Sequence, residues 1–269
     1  MGLLQLKRLM LSRNTALSLP PSISFDSNAL AYISAVETAD GQALETAVKN
    51  AINTFVVGCK SDGTWNSIKA SCILSGARTL SGALIPLVGT APTNNNFVSG
   101  DYNRKTGLVG NGSTKYLNSN RTGSADPQNN CHLSIWKNDT VFQVNPYYIG
   151  AFTLGYLTGS GVGQGGMYSN SSTSFSSPNN AVGLYGYSRN TSSGGTFTTP
   201  GNNIQTFSVT SATPPAFSHY VFNLNNGGTL GTLGTTSRFV FYSIGEAIDL
   251  ALLNTRLIAL INTFAAVIP

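Results

Sequence analysis

Apolar and polar positions follow two different rhythms along this chain of 269 residues. Between residues 26 and 88 the rhythm is helical. Asp26 or Ser27 can cap a helix whose Leu30, Ile33 and Val36 mark one face, because residues three and four apart lie on one side of a helix. Gly41 is a stop signal, and Ala43 to Val57 repeats the pattern through Leu44, Val48, Ile52 and Val56. Asp62-Gly63 marks a turn, and Trp65, Ile68, Cys72 and Ile73 then predict a third short helix. The stripes predict core, while Glu37, Asp40 and Glu45 flank a turn open to water.

From Thr90 the rhythm shortens to β-rich runs broken by Gly, Asn, Ser and Pro. The predicted strands are Thr114–Leu117, His132–Trp136, Val141–Val144, Tyr147–Phe152, Val182–Tyr187, Thr206–Thr210, His219–Leu224 and Arg238–Tyr242. Alternation in His132-Leu-Ser-Ile-Trp and Val221-Phe-Asn-Leu has the period of half-buried strands. Many short strands between turn signals predict an antiparallel β-sandwich. The Gly- and Ser-rich stretch Thr158–Asn180 reads as a surface loop. A helical rhythm returns at Asp249, a cap, with Leu250, Leu253, Leu257, Leu260, Ile261 and Phe264 at spacings of three and four.

The expected fold is therefore mainly β: a helical module at 26–88, then a sandwich at 89–269 with a terminal helix. Ahead of both, residues 1–25 form a basic and apolar arm ending at Pro20-Pro21, with Leu3, Leu4, Leu6, Leu9 and Met10 near helical spacing. Too short to hold a core, it needs a covering surface, on a partner or on its own domain. We expect attachment to a partner.

Composition narrows the classes. Charged residues are only 9% against 41% apolar, which excludes intrinsic disorder and a Glu/Lys-rich coiled coil. The net charge of +5 splits into +3 over residues 1–25, −1 over 26–88 and +3 over the rest. No run of bases is interleaved with stacking aromatics, so nucleic acid is not an expected partner. Cys59, Cys72 and Cys131 are odd in number and lack metal-ligand spacing, which predicts free thiols in a reducing compartment. No apolar run reaches the ~18 residues that a membrane span needs. The start mixes Lys7, Arg8 and Arg13 into its apolar stretch, unlike a signal peptide.

Two sets of residues carry resemblances. Gly107-Leu-Val-Gly-Asn-Gly-Ser-Thr-Lys-Tyr-Leu117 with His132-Leu-Ser-Ile-Trp136, and the later Tyr242-Ser-Ile-Gly-Glu-Ala-Ile-Asp249, resemble the opening and closing strands of a laminin-G-like, concanavalin-A-like jelly roll. Upstream, Gly76 to Thr93 and Gly100 to Leu108 resemble strings found in proteins of tailed bacteriophages and prophages. That resemblance implies a virion protein of the tail, fibre or capsid surface, made in the host cytoplasm, joined to other virion proteins through the arm.

Catalytic chemistry is sparse. Glycoside hydrolysis needs two carboxylates about 5–10 Å apart, yet not one Asp or Glu lies between Thr140 and Gly245. Asp101, Asp126 and Asp139 form no E-x-D-x-x-E cluster, and Glu246 and Asp249 sit at a helix cap. Calcium would want carboxylates, and His132 and His219 stand alone in strand patterns, so no metal or cofactor is expected. No G-x-S-x-G elbow is present, and the glycines of 155–166 lack the Lys-Ser/Thr of a phosphate loop. We expect no enzyme.

Recognition and structure remain. Tyr147, Tyr148, Tyr156, Tyr168, Tyr185 and Tyr187 offer rings for sugar stacking, unless strand alternation turns them into core. Tyr185, Tyr187 and Arg189 share one face by spacing and form the expected glycan-contact site. Hydroxyl and amide groups, with few charges, point to a host surface polysaccharide bound weakly per site. Display as a homo-oligomer, for instance a trimer, would multiply such sites. The alternative is a purely structural capsid decoration or tail component.

Overall fold

Residues 27–61 form the two helices their pattern predicts. A computed structural model describes residues 25–152, 155–158, 166–174, 180–201 and 204–269. The arm thus lies outside the described residues, apart from Phe25. Helix α1 (Ser27–Asp40) starts on Asp26, whose carboxylate accepts from the Asn28 amide, and stops at Gly41 in the left-handed region, φ 64°. Helix α2 (Thr46–Ser61) runs back along it, with Lys60 bound to Asp26 at one end and Lys49 to Glu37 at the other.

The predicted third helix does not form. After one turn at Trp65–Ser67 the chain extends as strand β1 (Ile68–Ile73). Five of its six residues are buried, facing helices on one side and the sandwich interior on the other. A strand buried on both faces loses the alternation that distinguishes it from a buried helix.

After a short helix α3 (Leu80–Ala83), the strands are β2 (Thr93–Asn95), β3 (Tyr102–Asn103), β4 (Gly107–Val109), β5 (Tyr116–Thr122), β6 (Cys131–Lys137), β7 (Tyr147–Ala151), β8 (Gly155–Thr158), β9 (Met167–Ser169), β10 (Gly183–Thr191), β11 (Gly194–Thr198), β12 (Gln205–Ser208), β13 (Ser218–Val221), β14 (Asn225–Asn226), β15 (Thr229–Leu230) and β16 (Arg238–Gly245). Helix α4 (Leu250–Val267) follows, capped by Asp249.

The first sheet is ordered β12-β11-β10-β6-β16-β4-β3. The edge of β16 is shared: β4 pairs with its start and β1 with its end, Ile68 opposite Gly245. The second sheet is ordered β15-β14-β7-β13-β5-β2, with β8 added on β7 and β9 on β8. Leu133, Ile135, Tyr185 and Tyr242 from the first sheet meet Leu117, Ile149 and Val221 from the second in one core. The sandwich expected from sequence is therefore the architecture found.

Helices α1, α2 and α4 make a third layer on the other face of the first sheet. Ile33, Val48, Phe55, Leu257 and Phe264 pack there on Trp136, Leu184, Val240 and Phe241. A register slip between Phe239 and Phe241 lets both Val240 and Phe241 face the helices, while Phe239 and Tyr242 face the sandwich core. Helices and sandwich thus share one sheet.

Two loop readings change. Val141–Val144 is not a strand: Gln143 accepts from Thr235 Oγ1 and the Thr236 amide, leaving Val141, Phe142 and Val144 exposed. Within the stretch read as the surface loop Thr158–Asn180, β9 is a strand, and Met167, Ser169, Asn170 and Ser171 are buried.

Candidate ligand-binding face

All ten carboxylates of the chain have structural partners. Eight pair with cations: Asp26 with Lys60, Glu37 with Lys49, Glu45 with Arg78 and Arg104, Asp62 with Arg256, Asp101 with Lys115, Asp126 with Arg121, Asp139 with Lys137 and Glu246 with Lys69. Asp40 accepts from the Arg78 and Thr79 amides, and Asp249 from the first turn of α4. The hydrogen bond from Arg104 holds Glu45 at about 2, and Arg256 and Lys69 likewise lower Asp62 and Glu246. A general acid needs the opposite shift, upward toward neutral pH.

The histidines are interior. His132 Nδ1 lies 2.5 Å from the Glu246 carbonyl and Nε2 lies 2.7 Å from Ser243 Oγ, which in turn contacts Ser134 Oγ at 3.0 Å. The carbonyl can only accept, so Nδ1 carries the proton and Nε2 accepts from Ser243. A serine on an imidazole is the start of a nucleophilic dyad. Here Ser243 is fully buried, and a backbone carbonyl stands where a carboxylate would orient the ring. Burial pushes His132 down to about 4 and His219 to about 3, so both are neutral at pH 7. No group of three metal-ligating side chains occurs among the described residues.

The expected contact trio is corrected by its surroundings. Tyr185 and Tyr187 do share a face, but it points between the sheets, where both are buried. The Tyr185 hydroxyl donates to the Ala181 carbonyl, and its ring meets Tyr148 edge-on at 5.6 Å. Arg189 is fully buried and donates to the carbonyls of Ser169, Thr191, Ser192 and Val209, with the Phe207 ring 5.2 Å away. These three residues hold the end of the first sheet together and present no surface to a glycan. Tyr148 is also interior.

Tyr116, Tyr168 and Tyr220 lie along the outer face of the second sheet, the face opposite the helical layer, with Tyr116 and Tyr168 half-buried and Tyr220 8% exposed. Leu117, Ile149 and Val221 point into the core, so their neighbours Asn118, Gly150 and Tyr220 point out. Register places Thr93, Asn118, Tyr220, Gly150, Tyr156 and Tyr168 in one row across six strands. The Tyr116 ring lies on that of Tyr220, centroids 4.4 Å apart and tilted by 32°. Two residues beyond Gly150, Phe152 is 42% exposed, and Phe217, beside Gly228, is 41% exposed. The row contains no charged residue.

Of the tyrosines read as stacking candidates, Tyr168 is half-buried at the end of this row, whereas Tyr116, Tyr220 and the two phenylalanines were not among those candidates. No local signal could have found Tyr116 and Tyr220, which come together only because Asn118 pairs with Tyr220 more than a hundred positions along the chain. A separate 540 Å³ cleft at the start of α4 is lined by Ser188, Asn190, Thr196, Asp249 and aliphatic side chains, with no aromatic surface. The chain matches no known protein family, no characterised protein and no solved structure.

Proposed function

We propose that this protein is a non-catalytic virion surface protein of a tailed bacteriophage, whose sandwich binds a neutral polysaccharide of the host. The observation that carries the glycan reading is the uncharged row of tyrosine, asparagine and threonine on the outer face of the second sheet, with Phe152 exposed beside it. Aromatic faces suit the apolar faces of sugar rings, and amides and hydroxyls match their hydroxyl groups without favouring an ionic partner. The virion reading rests on the phage-like strings at Gly76 to Thr93 and Gly100 to Leu108. Weak sites repeated in a homo-oligomer would raise avidity without new contacts.

The purified protein, clustered on beads, should adsorb to host cells and be displaced by extracted neutral surface glycan. Tyr116→Ala combined with Phe152→Ala should weaken adsorption by about tenfold, equivalent to ~1.4 kcal/mol. Adsorption unchanged in that variant would remove this face from the reading. A second reading, a decoration that only strengthens the particle, is favoured by Val141, Phe142, Val144 and Leu233, all more than 40% exposed. No adsorption even on beads would leave that reading standing.

A further inference from the structure

We propose that the Lys137 amine condenses with the side-chain amide of Asn180, joining β6 to the segment before β10 by an isopeptide bond. Lys137 follows Leu133 and Ile135 on the inward face of β6, and its side chain is fully buried. Phe239 lies opposite it on β16 and Gly183 on β10. Sealed from solvent, the amine has protein oxygens as partners. Nζ lies 2.7 Å from Asp139 Oδ1, 2.5 Å from the Asp139 carbonyl and 3.4 Å from the Asn180 carbonyl. Asp139 is held in place by the Val141 amide on Oδ1 and the Arg238 amide on Oδ2. The Tyr185 hydroxyl fixes the Asn180 segment by donating to the next carbonyl, that of Ala181. Asn180 also turns its side chain inward: Oδ1 is buried and accepts from no donor among the described residues. The ion pair accounts for Lys137 and Asp139. It does not account for a buried amide oxygen without a donor, which is costly to leave in a folded protein.

Amine, carboxylate and amide carbonyl at one dry point are the groups that acyl transfer to nitrogen needs. Asp139 takes a proton from the ammonium, and the freed amine attacks Asn180 Cγ while the carbonyl electrons move to Oδ1. Collapse of this adduct re-forms the carbonyl and breaks the bond to Nδ2, which leaves with the proton that Asp139 returns. The surplus proton on Nζ follows through the same carboxylate, so ammonium departs and Asp139 is regenerated. Nothing is oxidised or reduced. One event per chain requires no turnover, so slow chemistry suffices. The bond ties positions 43 residues apart and restrains the unfolded chain as a disulfide does. It does so without an oxidant, in a chain whose three cysteines are all free.

Intact-mass spectrometry of the full chain tests this directly. The folded protein should weigh about 17 Da less than its sequence, the mass of one ammonia. Digestion should then give one branched peptide joining Lys137 to Asn180. Lys137→Met and Asn180→Ala should each keep the full mass of their sequences. Asp139→Ala should form the bond at least about a hundredfold more slowly, as expected when a proton carrier is removed. The measurement on the unaltered chain decides the matter even where a variant does not fold. A mass equal to that of the sequence would overturn the proposal, and so would an ammonia loss without that branch.

Discussion

Glu45 and Arg104 form a two-pronged ion pair that fastens the helical layer to the sandwich. Glu45 holds the N-cap position of α2 but does not cap it; both its oxygens accept from the guanidinium, Nη1 to Oε1 at 2.8 Å. Arg104 also donates to the Gly76 carbonyl, so one side chain joins three segments.

This pair makes stability depend on acid. The Glu45 carboxyl is held at about 2, below its unfolded value near 4.5, so its contribution is complete above pH 4.5 and is lost as pH falls through 2. Glu45→Gln should lower stability at pH 7 by about 1–2 kcal/mol and flatten the acid limb of the pH profile. Urea titrations at several pH values measure both.

His132 and His219 add a steeper term at higher pH. Each is depressed in the folded protein, to about 4 and about 3, so below pH 6.5 the unfolded chain binds protons that the folded chain refuses. Stability is full above pH 6.5 and declines as pH falls toward 4, by up to about 2.7 kcal/mol per pH unit while both groups act. Imidazole NMR signals of the folded protein should show no titration above pH 5.

Substitutions in the buried trio should act on folding. Tyr187→Ala should cost about 3–5 kcal/mol by opening a cavity between the sheets. Arg189→Ala leaves carbonyls of Ser169 and Val209 without their donor and should cost a similar ~3 kcal/mol. Denaturant midpoints should fall while any glycan adsorption, measured on folded protein, stays unchanged.

Gly107 is fixed by backbone and space together. Its φ is 98°, and an added Cβ would lie 2.2 Å from the Phe239 carbonyl oxygen in the neighbouring strand. Gly107→Ala should destabilise by more than about 2 kcal/mol, read as a drop in thermal midpoint with no new cavity to fill.

How much of this was legible follows from which surfaces are covered. α1, α2 and α4 have one buried stripe each, so their apolar spacing was readable. The strand Ile68–Ile73 is apolar on both faces because helices cover one side and the second sheet the other, and it read as helix for that reason. The same double burial misled the choice of site. Alternation put Tyr185 and Tyr187 on one face, but no local pattern says whether that face meets water or another sheet. Tyr116 and Tyr220 meet only after residues more than a hundred positions apart are paired, which a short window cannot register.

The sharing of β16 between β4 and β1 also sets an order of events during synthesis. Cys72 touches Tyr242 across a separation of 170 residues, and α2 packs on α4 as well as on α1. The helices and the strand made first therefore remain without their cover while the ribosome produces everything between. Contacts this distant in the chain slow folding, since loop-closure entropy is spent before the pairing rewards it. An apolar strand waiting that long is a natural client for a chaperone, and the newborn chain is most exposed to aggregation just before β16 emerges.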